Sequence, residues 1–120
     1  MKKICLLITL MLFLYPGYSR AMEVNFLKFC EFLEVDSEEL SKDAKAVTIS
    51  CVAFIKGVVE AHKALVMENK IKPQFCKPSR VTYGKIGLMY LEYERKHSPK
   101  PHQNEAEFLL QALKDAYPCK

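Results

Sequence analysis

The chain has 120 residues, of which 18 are basic and 14 are acidic, so its formal net charge is +4. Lys2, Lys3 and Arg20 lie in an N-terminal segment with the features of a cleaved leader. Without these three, 15 basic residues face 14 acidic ones and the net charge falls to +1. The length is that of one small domain, and the charge balance excludes the strongly basic composition of a nucleic-acid-binding protein.

The N-terminal segment predicts a secretory signal peptide, residues 1–21. Met1-Lys2-Lys3 is a short basic region, residues 4–15 are apolar except for Thr9, and Ser19-Arg20-Ala21 places small residues where a signal peptidase reads them. The apolar run of twelve residues is too short for a membrane anchor, which needs about 20. We therefore expect cleavage after Ala21, a periplasmic or otherwise exported helical domain of residues 22–120, and no stable membrane insertion.

Four cysteines remain after this cleavage, namely Cys30, Cys51, Cys76 and Cys119. An even number in a small exported chain indicates two disulfides, and the spacing lacks the close cysteine pairs of a zinc site. Four cysteines allow three pairings, and the sequence alone does not choose among them. Of the three we expect Cys30–Cys51, which would join two consecutive helices, and Cys76–Cys119, which would fasten the C-terminus to a loop.

The central helix is predicted around residues 51–68, because its apolar residues recur at steps of three, four and seven. It begins near Asp43, which we expect as its N-cap in preference to Ser41. A shorter helix over residues 24–33 precedes it. Gly57 lies inside the central helix, where a glycine usually marks the close approach of another backbone.

Two more helices follow. One begins near residues 81–83, with Ser79 and Thr82 as competing N-caps, and runs to residue 96; the other follows a capping box formed by Asn104 and Glu107. No segment shows sustained alternation of apolar and polar residues, so a sheet has no support. The fold class is therefore all-α: a four-helix domain with two disulfides, or a five-helix one if the acidic segment 36–45 forms a helical turn of its own.

The sequence contains no phosphate-binding loop, zinc-protease motif or nucleophile elbow. A catalytic pair could still combine Cys51 or Cys76 with one of the three histidines, His62, His97 and His102, but it would require a reduced cysteine in an exported chain. For His62, beside the apolar stripe, a structural role is favoured. We therefore expect neither an enzyme nor a cofactor or metal.

A set of spaced blocks carries a family resemblance over about residues 30–119. The blocks are CVAFIKGVVEAH at 51–62, FCKP at 75–78, VT at 81–82, YL at 90–91, His97, AL at 112–113 and AYPC at 116–119. In this combination the chain resembles the Rap and Tai immunity proteins. It departs from the usual family pattern at Phe54, Lys85 and Ser98, which separates His97 from Pro99.

The resemblance implies a small exported helical protein, often a homodimer, that binds and blocks a peptidoglycan amidase toxin delivered by type VI secretion. Such inhibition needs a pre-organised segment that enters the cleft of the toxin. The segment we expect to bind the partner is the proline-stiffened connector between the last two helices: His97, Ser98, Pro99, Lys100, Pro101, His102 and Gln103. The alternative is that residues 97–103 only connect two helices and bind no partner.

A second function class is also open. Residues 29–33, FCEFL, followed by acidic residues, resemble the start of HdeA-like periplasmic acid-stress chaperones, small disulfide-bonded helical proteins that expose apolar surface in acid. Protonation of the carboxylates between residues 23 and 43 would drive that exposure.

Overall fold

A computed structural model describes residues 25–120 of the chain, and the predicted signal peptide lies outside this range. The described residues form a 3₁₀ helix, Leu27–Glu34, followed by three α-helices: α1, Lys42–Met67; α2, Tyr83–Lys96; and α3, Glu105–Ala116. The prediction of an all-α, four-helix domain with two disulfides is confirmed. None of the helices in residues 25–120 combines the length and hydropathy needed to cross a membrane.

The first helix is of the 3₁₀ type and not α-helical. Its buried residues are Leu27 and Cys30, three positions apart, which is the period of a 3₁₀ helix and places both on one face. The Asn25 side chain accepts a hydrogen bond from the Lys28 amide at 2.8 Å and fixes the first turn. At the other end, Glu34 pairs with Arg95 of α2 at 2.5 Å. The short helix is thus held by the core on one side and by α2 on the other.

Helix α1 begins at a different cap from the one predicted. Ser41 is the N-cap, and its hydroxyl accepts a hydrogen bond from the Ala44 amide at 3.2 Å. The prediction of Asp43 is wrong, because Asp43 lies within the first turn, where its carboxylate faces the positive end of the helix dipole. At the C-terminal end, Asn69 takes the left-handed conformation with φ of 56°, and the Lys70 amide bonds to the Leu65 carbonyl at 2.9 Å. This Schellman motif ends the helix.

The disulfides have the expected pairing but very different surroundings. Cys30–Cys51 joins the 3₁₀ helix to α1, and both residues have no exposed surface. Cys76–Cys119 joins the connector before α2 to the C-terminal segment, and both residues are exposed. The Cys76 amide also donates to the Tyr117 carbonyl at 2.8 Å, so the two chain segments are joined by a covalent bond and a hydrogen bond.

The core lies among all four helices, and its close approach is at Gly87 of α2. A Cβ on Gly87 would overlap Leu33 Cδ1 and would lie 3.4 Å from Ile55 Cδ1 and 3.5 Å from Cys51 Sγ. The prediction for Gly57 is wrong: a Cβ there would meet nothing within 4 Å, because Gly57 lies on the exposed face of α1. The buried residues are Leu27, Cys30, Cys51, Ile55, Val59, Phe75, Ile86, Tyr90, Leu91, Phe108, Leu109, Ala112 and Leu113.

The N-caps of the last two helices match the sequence. Thr82 caps α2, and its hydroxyl accepts a hydrogen bond from the Lys85 amide at 3.3 Å. Asn104 and Glu107 form the predicted capping box of α3. The two helices pack through Tyr90 and Phe108, whose rings meet edge to face with centroids 5.8 Å apart. The connector between them, residues 97–103, therefore leaves one helix and enters the next at fixed points.

Candidate partner-binding site

The connector 97–103 is anchored at both ends. At the α2 end, the His97 amide donates to the Tyr93 carbonyl at 2.9 Å, and the two side-chain rings stack with centroids 4.1 Å apart. At the α3 end, the Asn104 side chain accepts from the Glu107 amide at 2.9 Å, and the Glu107 carboxylate accepts from the Asn104 amide at 3.3 Å. His97 is thus an anchor on α2, while the residues after it extend into solvent.

The middle of the connector is a closed four-residue turn, which we call the 100–103 turn. The Gln103 amide donates to the Lys100 carbonyl at 3.0 Å, and the Lys100 amide donates to Gln103 Oε1 at 3.0 Å. Proline fixes φ of Pro101 near −65°, and His102 has φ of 66°, the combination of a type II turn. The turn presents Lys100, Pro101 and His102 to solvent in a defined arrangement.

A concave surface of about 500 Å³ lies between the 100–103 turn and α3. Lys100, His102 and Lys114 bring basic groups to this surface, whereas Glu107 is the acidic residue there and its carboxylate is held by the capping box. The remaining lining residues are Pro101, Gln103, Gln74, Leu110 and Gln111. The excess of basic groups suits this surface to a partner segment that carries carboxylates.

The other predicted residues of the connector face different surfaces. His97 borders a shallow surface shared with Tyr93 and Asp115, where partial burial and, after it, a hydrogen bond to the Asp115 carboxylate raise the pKa of the Tyr93 hydroxyl. Pro99 borders another surface, with Tyr90 and Phe108 in its wall. The structure therefore keeps Lys100, Pro101 and His102 on one surface and separates them from His97 and Pro99, whereas Gln103 borders both the concave surface and the surface of Pro99. Ser98 is exposed between His97 and Pro99.

Sequence reasoning missed the residues of α3 and of the preceding connector that complete the concave surface. Leu110, Gln111 and Lys114 follow Glu107 at steps of three, four and seven, so helical spacing places them on the face that begins at the end of the 100–103 turn. That signal was present in the sequence. Gln74 carried no such signal, because it is brought to this surface by the packing of its connector.

The cysteines and the histidine that the sequence offered as catalytic candidates have structural roles. Cys51 and Cys76, which a cysteine–histidine pair would need as thiols, are both in disulfides. His62 is buried, its ring stacks on Phe75 with centroids 4.2 Å apart, and its Nε2 accepts a hydrogen bond from the Gln74 amide at 3.1 Å. Within residues 25–120, no three side chains of the His, Cys, Asp and Glu types come together as a metal ion would require.

In a comparison with protein families, the chain matches the model described as Rap1a immunity proteins over residues 23–119. This range includes every described helix and both disulfides. Searches of curated proteins and of solved structures find no match for the chain.

Proposed function

The chain belongs to the Rap1a immunity protein family, and from this premise we propose that it binds and blocks one cognate effector, a peptidoglycan amidase delivered by type VI secretion. Immunity proteins act by binding, so the function is carried by a surface and not by a catalytic group. The site of action that we propose is the periplasm, after removal of residues 1–21 as a signal peptide. Two disulfides, typical of exported proteins, support this location.

The observation that carries the proposed binding site is the closure of the 100–103 turn by two hydrogen bonds between Lys100 and Gln103. A segment that is already rigid before binding loses little conformational entropy when it enters a partner's cleft. Pro99 and Pro101 restrict the backbone further, since each fixes its own φ. Because the turn is exposed and anchored at both ends, it can occupy a cleft without rearrangement of the core.

The side chains on the turn indicate how the effector would be recognised. Lys100 and His102 can pair with carboxylates, and Pro101 between them offers an apolar contact. The binding energy of an interface is usually concentrated in a few central residues. We propose that Lys100 and His102 are these residues, with Lys114 on α3 as a supporting charge at the edge of the same concave surface.

The test begins with the genes adjacent to this one: a gene there that encodes an amidase with a catalytic cysteine and histidine supplies the effector, which is purified and assayed on peptidoglycan. Residues 98–102 are replaced by a Gly-Ser sequence of equal length, which keeps the anchor at His97 and the capping box. We expect affinity for the effector to fall by about a hundredfold, the effect of losing a binding hot spot. The thermal unfolding midpoint should change little, because residues 98–102 are exposed.

The matched control replaces residues 35–39, an exposed segment of equal length between the 3₁₀ helix and α1, and should leave inhibition intact. Undiminished inhibition by the 98–102 variant would contradict the proposed site. Failure of the unmodified protein to bind the effector would contradict the function.

An acid-stress chaperone would instead suppress the aggregation of unrelated proteins at about pH 2 to 3, where carboxylates protonate.

A further inference from the structure

A second concave surface, of about 580 Å³, lies between the C-terminal half of α1 and the connector that precedes α2. We call it the α1 groove. Its apolar wall is formed by Val59, Val66, Pro73, Phe75 and Tyr83, and Lys63 and Lys77 stand among its lining residues. No group of the proposed binding site contributes to this groove, which leaves its role unassigned.

The wall opposite α1 is held rigidly. The Gln74 amide is bonded to His62 Nε2 at 3.1 Å, and the neighbouring Phe75 ring stacks on the His62 ring. One residue further, Cys76 is fixed to the C-terminal segment by the exposed disulfide. The Lys77 ammonium donates to the Val81 carbonyl at 2.7 Å. The groove is therefore pre-formed and does not need a ligand to open it.

Positive charge dominates the mouth of the groove. Tyr83 donates a hydrogen bond to Glu60 at 2.5 Å, and this bond is the main reason that the Glu60 pKa is lowered, against the opposing effect of desolvation. The charges of Lys63, Lys56 and Lys77 lower it further, in that order. Lys63 and Lys77 of the groove, together with Lys56 one turn before Glu60 on α1, thus act on one carboxylate that is already engaged. An incoming carboxylate would meet a net positive field beside an apolar wall.

The groove adjoins the proposed binding site. Gln74 lines the concave surface beside the 100–103 turn, whereas its neighbours Pro73 and Phe75 line the α1 groove. The connector 73–75 is therefore the ridge between the two depressions. A partner protein that binds over this ridge would contact both.

We propose that the α1 groove is a second docking site for the same effector and that it receives an apolar side chain of the effector adjacent to an acidic residue. The apolar side chain packs against Val66 and Phe75, and the carboxylate pairs with Lys63. This inference rests on the proposed function and deepens it, since it describes the effector as a protein with an exposed acidic and apolar segment. Two separate contacts would also explain how an immunity protein selects one effector, because a partner must satisfy both.

The experiment measures, by calorimetry, the binding of three variants to the amidase effector chosen for the test of the proposed function. Lys63→Glu reverses a charge at the groove, and Ser79→Trp fills the groove from an exposed lining position. Lys45→Glu is the matched control: it makes the same change five turns earlier on the same side of α1, about 27 Å away. We expect Lys63→Glu and Ser79→Trp each to weaken binding about tenfold and Lys45→Glu to leave it within about twofold.

The salt concentration distinguishes the ionic contact of Lys63 from the apolar contact inside the groove. The defect of Lys63→Glu should shrink between about 50 mM and about 500 mM salt, because the lost interaction is ionic, whereas that of Ser79→Trp should persist. If both groove variants bind like the wild type while the 98–102 variant loses binding, the α1 groove is not a docking site, and the proposed function still holds. An equal loss in Lys45→Glu would also overturn it, since the effect would then be general charge. Absence of binding by the unmodified protein would overturn both proposals.

Discussion

Gln103 and Lys100 close the 100–103 turn through two hydrogen bonds of 3.0 Å, one between the backbone groups and one from the Lys100 amide to the Gln103 side chain. Neither bond involves the core, and Lys100, Pro101 and His102 are exposed. The Gln103 side chain thus adds one of the two hydrogen bonds that close this segment and contributes little to the packing of the domain. For that reason, binding and folding stability can be separated by mutation.

Gln103→Ala removes the side-chain acceptor and leaves the turn with only its backbone hydrogen bond. We expect the affinity for the effector to fall by about tenfold, because a looser turn loses more entropy on binding. Folding stability should fall by no more than about 1 kcal/mol, the usual net contribution of one hydrogen bond. Calorimetric binding and urea denaturation measure the two quantities separately.

Gln103→Glu provides the control for that variant, because its carboxylate can accept the same hydrogen bond from the Lys100 amide. It should bind more tightly than Gln103→Ala if closure of the turn is what matters. Because the new carboxylate also lies on the basic concave surface, the comparison is made at about 500 mM salt, where its charge is screened. Equal weakening in both variants under these conditions would contradict the role of closure.

The two helical glycines, Gly57 and Gly87, should respond in opposite ways to alanine. Gly57→Ala should stabilise the protein by about 1 kcal/mol, because alanine favours the helix and a Cβ there meets nothing within 4 Å. Gly87→Ala should be less stable than Gly57→Ala by about 1 to 3 kcal/mol, since its Cβ overlaps Leu33 and must displace it. Urea denaturation of both variants tests the difference. Equal stabilisation would contradict the close packing at Gly87.

The Gly57 and Gly87 contrast shows what the sequence could and could not predict. Local spacing predicts the helix positions, the Thr82 cap and the capping box of Asn104 and Glu107. Once the first two helices are predicted, pairing of Cys30 with Cys51 follows as a reasonable expectation. The close approach at Gly87 depends on where Leu33, distant in sequence, comes to lie. Closure of the 100–103 turn likewise depends on the rotamer of Gln103, for which the sequence has no signal.

The two disulfides should be reduced in a fixed order. Cys76 and Cys119 are exposed, whereas Cys30 and Cys51 have no accessible surface, and a thiolate must reach a sulfur to attack it. Mild treatment with dithiothreitol, followed by alkylation and mass spectrometry, should label Cys76 and Cys119 first. Labelling of Cys30 and Cys51 at the same rate would show that the core opens as readily as the surface.

Replacement of each disulfide by serine pairs should separate their structural roles. The loops that the bridges close span 21 and 43 residues, for which the chain-entropy model gives about 3 to 4 kcal/mol each. We expect the Cys76→Ser, Cys119→Ser protein to fold with a lowered thermal midpoint. The Cys30→Ser, Cys51→Ser protein should lose more stability, because it also buries two hydroxyl groups in the core. Thermal unfolding followed by circular dichroism makes the comparison.

His62 should make the stability of the domain depend on pH. Burial lowers the pKa of its imidazole below the ordinary value of 6.5, so the folded state holds the ring neutral, as the hydrogen bond from the Gln74 amide to Nε2 requires. The unfolded chain binds a proton at a higher pH than the folded one. Stability is therefore complete above the unfolded pKa and falls as the pH drops through 6.5 toward the lower folded pKa.

The His62→Gln variant keeps a hydrogen-bond acceptor but cannot be protonated in this range. It should be less stable than the wild type at about pH 8, because the stacking on Phe75 is lost, and the difference between the two proteins should narrow as the pH falls to about 5. Urea denaturation at several pH values measures that difference. A constant gap across the range would contradict a neutral, buried His62. His62 also holds the connector 73–75, the ridge between the two depressions, through its hydrogen bond from the Gln74 amide. Protonation of His62 as the pH falls should therefore weaken effector binding in the wild type more than in the variant.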